Sequence, residues 1–239
     1  MPWSESRIEQ PTPPPAPPEP PRRSEPILNA PVLPLLIALS MAALYMGQTR
    51  LPDQGLAWAF RPVDLIDGHW VTLFTSMLLH GGWAHVAMNA VAALAFGAPV
   101  ARLLGQDARG GLAFLFFYVM CGVVAALGYG LVHWGGPESV VGASGAVFGL
   151  IGAAVRLLAT PGRLSSLLDR RALGAAAAWM AVNLIVGLIG FMPGAGGARI
   201  AWEAHAFGFI AGYLTIGLLC RLIGRGGFDS RARLGDPET

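Results

Sequence analysis

Lysine is absent from this 239-residue chain, and arginine carries all of its fixed positive charge. Charge of either sign is scarce, at 13% of residues, where soluble domains carry about a quarter. With 54% hydrophobic residues and a mean hydropathy of +0.55, that scarcity excludes an ordinary soluble domain. The net charge is only +2, and no basic stripe lies apart from the apolar runs, which excludes nucleic acid as a partner. Cysteine is down to two residues, Cys121 and Cys220, both inside apolar stretches and without paired spacing. They make neither a disulfide framework nor a metal site, and no metal or cofactor is expected. The first 28 residues have no apolar run and are crowded with proline and charge. That excludes a signal peptide or a core element there, and residues 1–28 read as a disordered Pro-rich cytoplasmic tail.

What the chain does have is long apolar stretches separated by arginine. A helix needs about 20 apolar residues to cross the hydrocarbon of a bilayer. Six candidate spans follow: Pro31 to Gln48, Trp83 to Leu104, Gly111 to Val132, Gly142 to Ala159, Ala172 to Phe191 and Ala201 to Ile223. The expected fold is an all-α membrane protein, a six-transmembrane-helix bundle, filling residues 29–224 and followed by a cytoplasmic C-terminal tail over 225–239. In this topology Arg22, Arg23, Arg102, Arg109, Arg156, Arg163, Arg170, Arg171, Arg221, Arg225, Arg231 and Arg233 fall on one side. Arg50, Arg61 and Arg199 fall on the other. Positive charge marks the cytoplasmic face, so both termini are expected inside, and residues 48–82, 133–141 and 192–200 outside. Residues 48–82 mix Trp58, Phe60, Trp70 and Phe74 with Arg61, Asp64 and Asp67. Such a mixture suits the membrane interface, and taken alone it reads as an outer loop with interfacial anchors.

Polar groups inside a span cost free energy unless they are paired or meet water. Four need an explanation: His85, Asn89, Ser144 and His205. His85 and Asn89 are four apart on one helical face, with His80 just before their span. Ser144 opens the fourth span and His205 lies in the first turns of the sixth, so all four sit near the outer surface. Gly145, Gly149 and Gly152 in the fourth span, and Gly208 and Gly212 in the sixth, recur at helical spacing. Small residues so spaced let two helix backbones approach closely in lipid. Each residue alone has a plain explanation: a packing serine, a proton-relay histidine, an asparagine joining helices. Together they supply a hydroxyl, an imidazole able to take its proton, and separate donors for an oxyanion, which is what acyl transfer needs. Glu203 is two residues from His205 and points elsewhere, so a Ser-His dyad is the economical reading.

The motifs "HGGWAHVAMN" (His80 to Asn89), "GASG" (Gly142 to Gly145) and "AHAFGFIAG" (Ala204 to Gly212) stand in this order on the second, fourth and sixth spans. In this the sequence resembles the rhomboid intramembrane serine proteases, over roughly Pro31 to Ile223. The resemblance implies Ser144 as nucleophile and His205 as general base and then acid. It also implies an oxyanion hole from the His85 and Asn89 side chains and the Ser144 N–H. Gly142 would let the backbone approach the site, Gly208 would let the sixth helix pack against the fourth, and residues 48–82 would be the membrane-embedded first loop. Phe148 stands where some members have Tyr, and would stack on His205 without a phenolic hydrogen bond. Val71 and Thr72 stand where a Trp-Arg pair is often found.

The implied partners are the lipid bilayer and transmembrane protein substrates, cut near the outer face beside small or helix-weakening residues. The oligomeric state is left open. Entry from lipid would be lateral, and the fifth span is a candidate gate because it contributes none of the expected chemistry. A catalytically silent, client-binding relative would lack a nucleophile or base, and neither is missing. A transporter using the imidazoles for protons would carry repeats between its halves, and none is evident. All-Arg basic usage and the absence of a transit peptide point to a bacterial inner membrane.

Overall fold

The computed structural model describes residues 31–159, 163–190 and 200–225. The expected Pro-rich tail, most of the expected 192–200 loop and nearly all of the C-terminal tail lie outside the described residues. Among the described residues the regular structure is helical, apart from one isolated β-bridge. The α-helices are α1 (Val32–Gln48), α2 (Asp64–Asp67), α3 (Thr72–Thr75), α4 (Trp83–Leu104), α5 (Ala108–Val132), α6 (Ser144–Leu158), α7 (Arg170–Ile189) and α8 (Trp202–Leu222). Short 3-10 turns cover Pro52–Trp58 and Ser76–Leu78. Four helices, α4, α5, α7 and α8, are long and apolar enough to cross a membrane, while α1 and α6 are shorter apolar helices.

Hydropathy places the start of α5 and α7 too late, and capping explains why. The Asp107 carboxylate accepts from the Gly110 N–H at 2.9 Å, so α5 begins at Ala108. The Asp169 carboxylate accepts from Arg171 and Ala172, so α7 begins with two arginines. Each acidic cap satisfies backbone N–H groups that a helix start leaves open, and favours the positive end of the helix dipole.

α6 is the axis of the bundle, with eleven of its fifteen residues buried. Glycine explains how it can be so enclosed. A Cβ on Gly208 would run into the Gly145 carbonyl, one on Gly212 into the Gly149 carbonyl, and one on Gly152 into the Phe209 carbonyl. α6 and α8 therefore touch backbone to backbone along this seam. On another side of α6, Gly145 meets the Ala125 side chain and Gly149 meets Cys121, both from α5. Without a hydrophobic drive inside lipid, such van der Waals contact is what holds helices together. α7 is the opposite case, for only Ala172 and Asn183 among its twenty residues are buried.

Arg156, one of the arginines assigned to the cytoplasmic side, is enclosed by the protein. It lies in the last turn of α6 and is 5% exposed, donating to the Ser165 carbonyl at 2.6 and 3.2 Å and to the Tyr213 carbonyl at 2.9 Å. Its planar fork of donors satisfies two carbonyls at once, tying the segment after α6 to α8.

Residues 49–82 are docked on the bundle. Phe60 and Val140 exchange both backbone hydrogen bonds, at 3.1 and 2.8 Å, and Phe60 is fully buried, with its ring against Gly130 of α5. Phe60 is thus a core residue and not an interfacial anchor, whereas Trp58, Trp70 and Phe74 are about half exposed. The buried Asp64 accepts from the Arg61 backbone at 2.9 Å and from its guanidinium at 2.9 and 3.2 Å. Burial alone would raise the Asp64 pKa, but hydrogen bonds from Arg61 and Thr72 hold it below the ordinary carboxylate value.

Candidate active site

Ser144 is the first residue of α6, where the backbone N–H has no partner inside the helix. The preceding turn is fixed by Gly142, whose N–H donates to the Ser76 carbonyl at 2.9 Å and whose φ is +123°. Any side chain there would be strained, and a Cβ would lie 2.7 Å from Cε1 and 2.9 Å from Nε2 of His85. The same point lies 3.7 Å from the Ser144 hydroxyl oxygen, so Gly142 leaves open the space between His85 and Ser144.

His205 reaches the serine from α8. Its Nε2 is 2.8 Å from Oγ of Ser144, a contact that bridges 61 residues of sequence. The ring is 7% exposed and lies flat against Phe148, with centroids 4.2 Å apart and 8° between the planes. Its other nitrogen, Nδ1, is 3.0 Å from Oδ1 of Asn183 on α7. The fifth span, which on sequence contributes none of the expected chemistry, thus touches the candidate base. Asn183 also donates from Nδ2 to the Trp202 carbonyl at 2.8 Å. A signal was available, because Asn183 is the only carboxamide or charged group between Arg171 and the end of α7. Glu203 turns away from the site and lies 3.2 Å from Nε2 of His133.

The remaining expected residues lie at or just before the start of α4, where His85 borders the space beside Ser144. The Gly81 N–H donates to Nδ1 of His85 at 3.3 Å, which leaves Nε2 free to carry a proton toward Ser144. Asn89 is buried and donates one amide hydrogen to the His85 carbonyl at 3.0 Å, keeping a second. His80 packs edge-on against His85, centroids 5.4 Å apart. The Gln48 carboxamide brackets its backbone, donating to the His80 carbonyl at 2.9 Å and accepting from its N–H at 2.8 Å. Neither ring nitrogen of His80 has a protein partner. Burial, and then the neighbouring His85 imidazole, lower its pKa to about 4, so the ring is neutral near pH 7. A cleft of about 550 Å³, lined by Gln48, Asp53, Gln54, His80, Gly81 and Val141, opens beside these residues.

A hydroxyl paired with a buried imidazole, facing N–H donors beside a cleft, is equipped for acyl transfer. The Rhomboid domain family model matches residues 67–222, which include His80, His85, Asn89, Gly142, Ser144, Asn183 and His205 but not Gln48. The chain belongs to the rhomboid family. Among rhomboid relatives it is 30% identical to YdcA of Bacillus subtilis (strain 168) over 162 residues, 66% of this chain and 71% of that protein. Over 124 residues it is 31% identical to the rhomboid protease GluP of the same organism, covering 50% of this chain and 23% of GluP. It is 29% identical to RHOMBOID-like protein 5 of Arabidopsis thaliana over 169 residues, 70% of this chain and 45% of that protein. The chain spans less than half of the last two relatives.

Proposed function

We propose that this rhomboid is a serine endopeptidase that cleaves transmembrane proteins near the outer face of a bacterial inner membrane. Ser144 is the nucleophile and His205 the base. The 2.8 Å approach of Nε2 to Oγ carries this reading, and rhomboid relatives named as proteases support it. In the first step Nε2 takes the hydroxyl proton as Oγ bonds to the substrate carbonyl carbon. The carbonyl oxygen becomes an oxyanion, received by the Ser144 N–H, His85 Nε2–H and the second amide hydrogen of Asn89. The imidazolium then gives its proton to the leaving amine, and water releases the acyl group by the same steps in reverse roles.

Six helices cross the membrane in this reading, with both termini cytoplasmic, a tail at residues 1–28, the membrane domain at 29–224 and a second tail at 225–239. α6, at about 22 Å, is shorter than the roughly 30 Å hydrocarbon layer. With its arginine-bearing end at the cytoplasmic interface, Ser144 starts below the outer surface. Water reaches it through the cleft beside His80. A helical substrate must unwind before its carbonyl can enter, which favours helix-weakening residues at the cut.

The test is cleavage of a purified single-span substrate in detergent by the wild type and Ser144→Ala. Cleavage is expected to vanish in the variant, and undiminished cleavage overturns the assignment. A fluorophosphonate should label Ser144 in the wild type, and label in His205→Ala should be lost.

A further inference from the structure

We propose that Asn183 is a positioning residue that sets which nitrogen of His205 carries the proton, and that α7 must be seated for the base to be armed. The inference rests on the reading of Ser144 and His205 as nucleophile and base. A carboxamide offers two different ends, and here the surroundings decide which faces the histidine. The Trp202 carbonyl can only accept, so it takes the N–H end of Asn183 at 2.8 Å. The oxygen end is thereby turned to Nδ1 of His205 at 3.0 Å. An amide oxygen cannot donate, so Nδ1 must hold the hydrogen. Nε2 is then the bare nitrogen that faces the Ser144 hydroxyl at 2.8 Å. A base with its proton on Nε2 would meet Ser144 with N–H and could not accept from it.

When Nε2 takes the serine proton, Nδ1–H stays bonded to Oδ1 of Asn183, whose dipole opposes the positive charge on the ring. No carboxylate does this work, since Glu203 is engaged with His133. The position on α7 adds a condition. Asn183 and Ala172 are the only buried residues of that helix, so Asn183 is its one polar tie to the site. Displacing α7 sideways far enough to admit a helix separates Oδ1 from Nδ1 and frees the ring to change tautomer.

Two measurements test this. In wild-type protein labelled with ¹⁵N-histidine, the His205 nitrogen signals should show the proton on Nδ1 at neutral pH. A proton on Nε2 overturns the proposal without any variant. In steady-state cleavage, Asn183→Ala should lower kcat by about 10- to 100-fold, with KM within about twofold of wild type. Asn183→Asp keeps an oxygen for Nδ1–H and should recover several-fold over the alanine variant. A wild-type kcat in Asn183→Ala overturns the proposal. So does an equal loss in both variants with KM raised, which marks a purely structural role. Retained cleavage by Ser144→Ala would instead sink the protease reading, while the nitrogen spectrum would still report on Asn183.

Discussion

The rings of Phe148 and His205 lie parallel, 4.2 Å apart and within 8° of one another. Phe148 therefore confines the imidazole to the plane in which Nε2 meets Ser144. Aromatic pairs contribute about 0.5–1.5 kcal/mol beyond burial. Phe148→Leu should lower kcat by about 2- to 10-fold, whereas Phe148→Tyr, which keeps the ring, should not. Steady-state cleavage of one substrate by both variants checks this, and a wild-type rate in the leucine variant refutes it.

The seam between α6 and α8 makes a prediction about stability. A methyl at Gly208 or Gly212 has no space beside the carbonyls of Gly145 and Gly149. Either alanine variant should lose about 1–3 kcal/mol and melt at a lower temperature in detergent. It should also lose fluorophosphonate labelling of Ser144, because the helices that carry serine and histidine are pushed apart. Gly174→Ala on α7 is the control, since nothing lies within 4 Å of a Cβ there. An unchanged Tm in Gly212→Ala would show that the seam does not hold the two helices together.

Asn89 keeps one amide hydrogen after bonding the His85 carbonyl. If that hydrogen meets the oxyanion, Asn89→Ala should lower kcat by up to about 10²- to 10³-fold, with KM nearly unchanged. Activity equal to wild type would take Asn89 out of the oxyanion hole and leave it a tie within α4.

His80 gives stability a pH dependence of known sign. Its folded pKa is about 4, against an ordinary value of 6.5. As pH falls below 6.5 the unfolded chain takes up a proton that the folded ring refuses until about pH 4. Its stabilising contribution is therefore complete above pH 6.5 and is lost between 6.5 and 4, by at most about 1.4 kcal/mol per pH unit. Asp64, held below its ordinary 3.8, loses its contribution only at lower pH, so the two windows separate. Unfolding measured between pH 7 and 4 should slope in the wild type and slope less steeply in His80→Phe. Equal slopes would show that His80 is not the group responsible.

Much of this architecture is legible in the sequence because the same residues that break the apolar pattern also organise it. The glycine spacing around Ser144 and His205 points to a close helix pair, and the structure has α6 and α8 in backbone contact. Other features resist such reading for definite physical reasons. The starts of α5 and α7 follow from carboxylate caps, which hydropathy scores only as interruptions. Phe60 looks like Trp58 and Trp70 in sequence, and only its backbone pairing with Val140 turns it inward. Asn183 does not stand out in the sequence, because one amide in a long apolar helix is consistent with a simple tie between helices. Its partner lies 22 residues further on, and no periodicity joins the two.

The glycine seam also bears on how such a chain can change over generations. Losing the Ser144 hydroxyl removes one oxygen from the end of α6 and touches none of the backbone contacts that hold α6 to α8. Losing Gly208 or Gly212 breaks those contacts while sparing every group that does chemistry. The proposed reaction is thus easily surrendered and the scaffold is not, so a lineage without the serine inherits an intact membrane fold ready for other work.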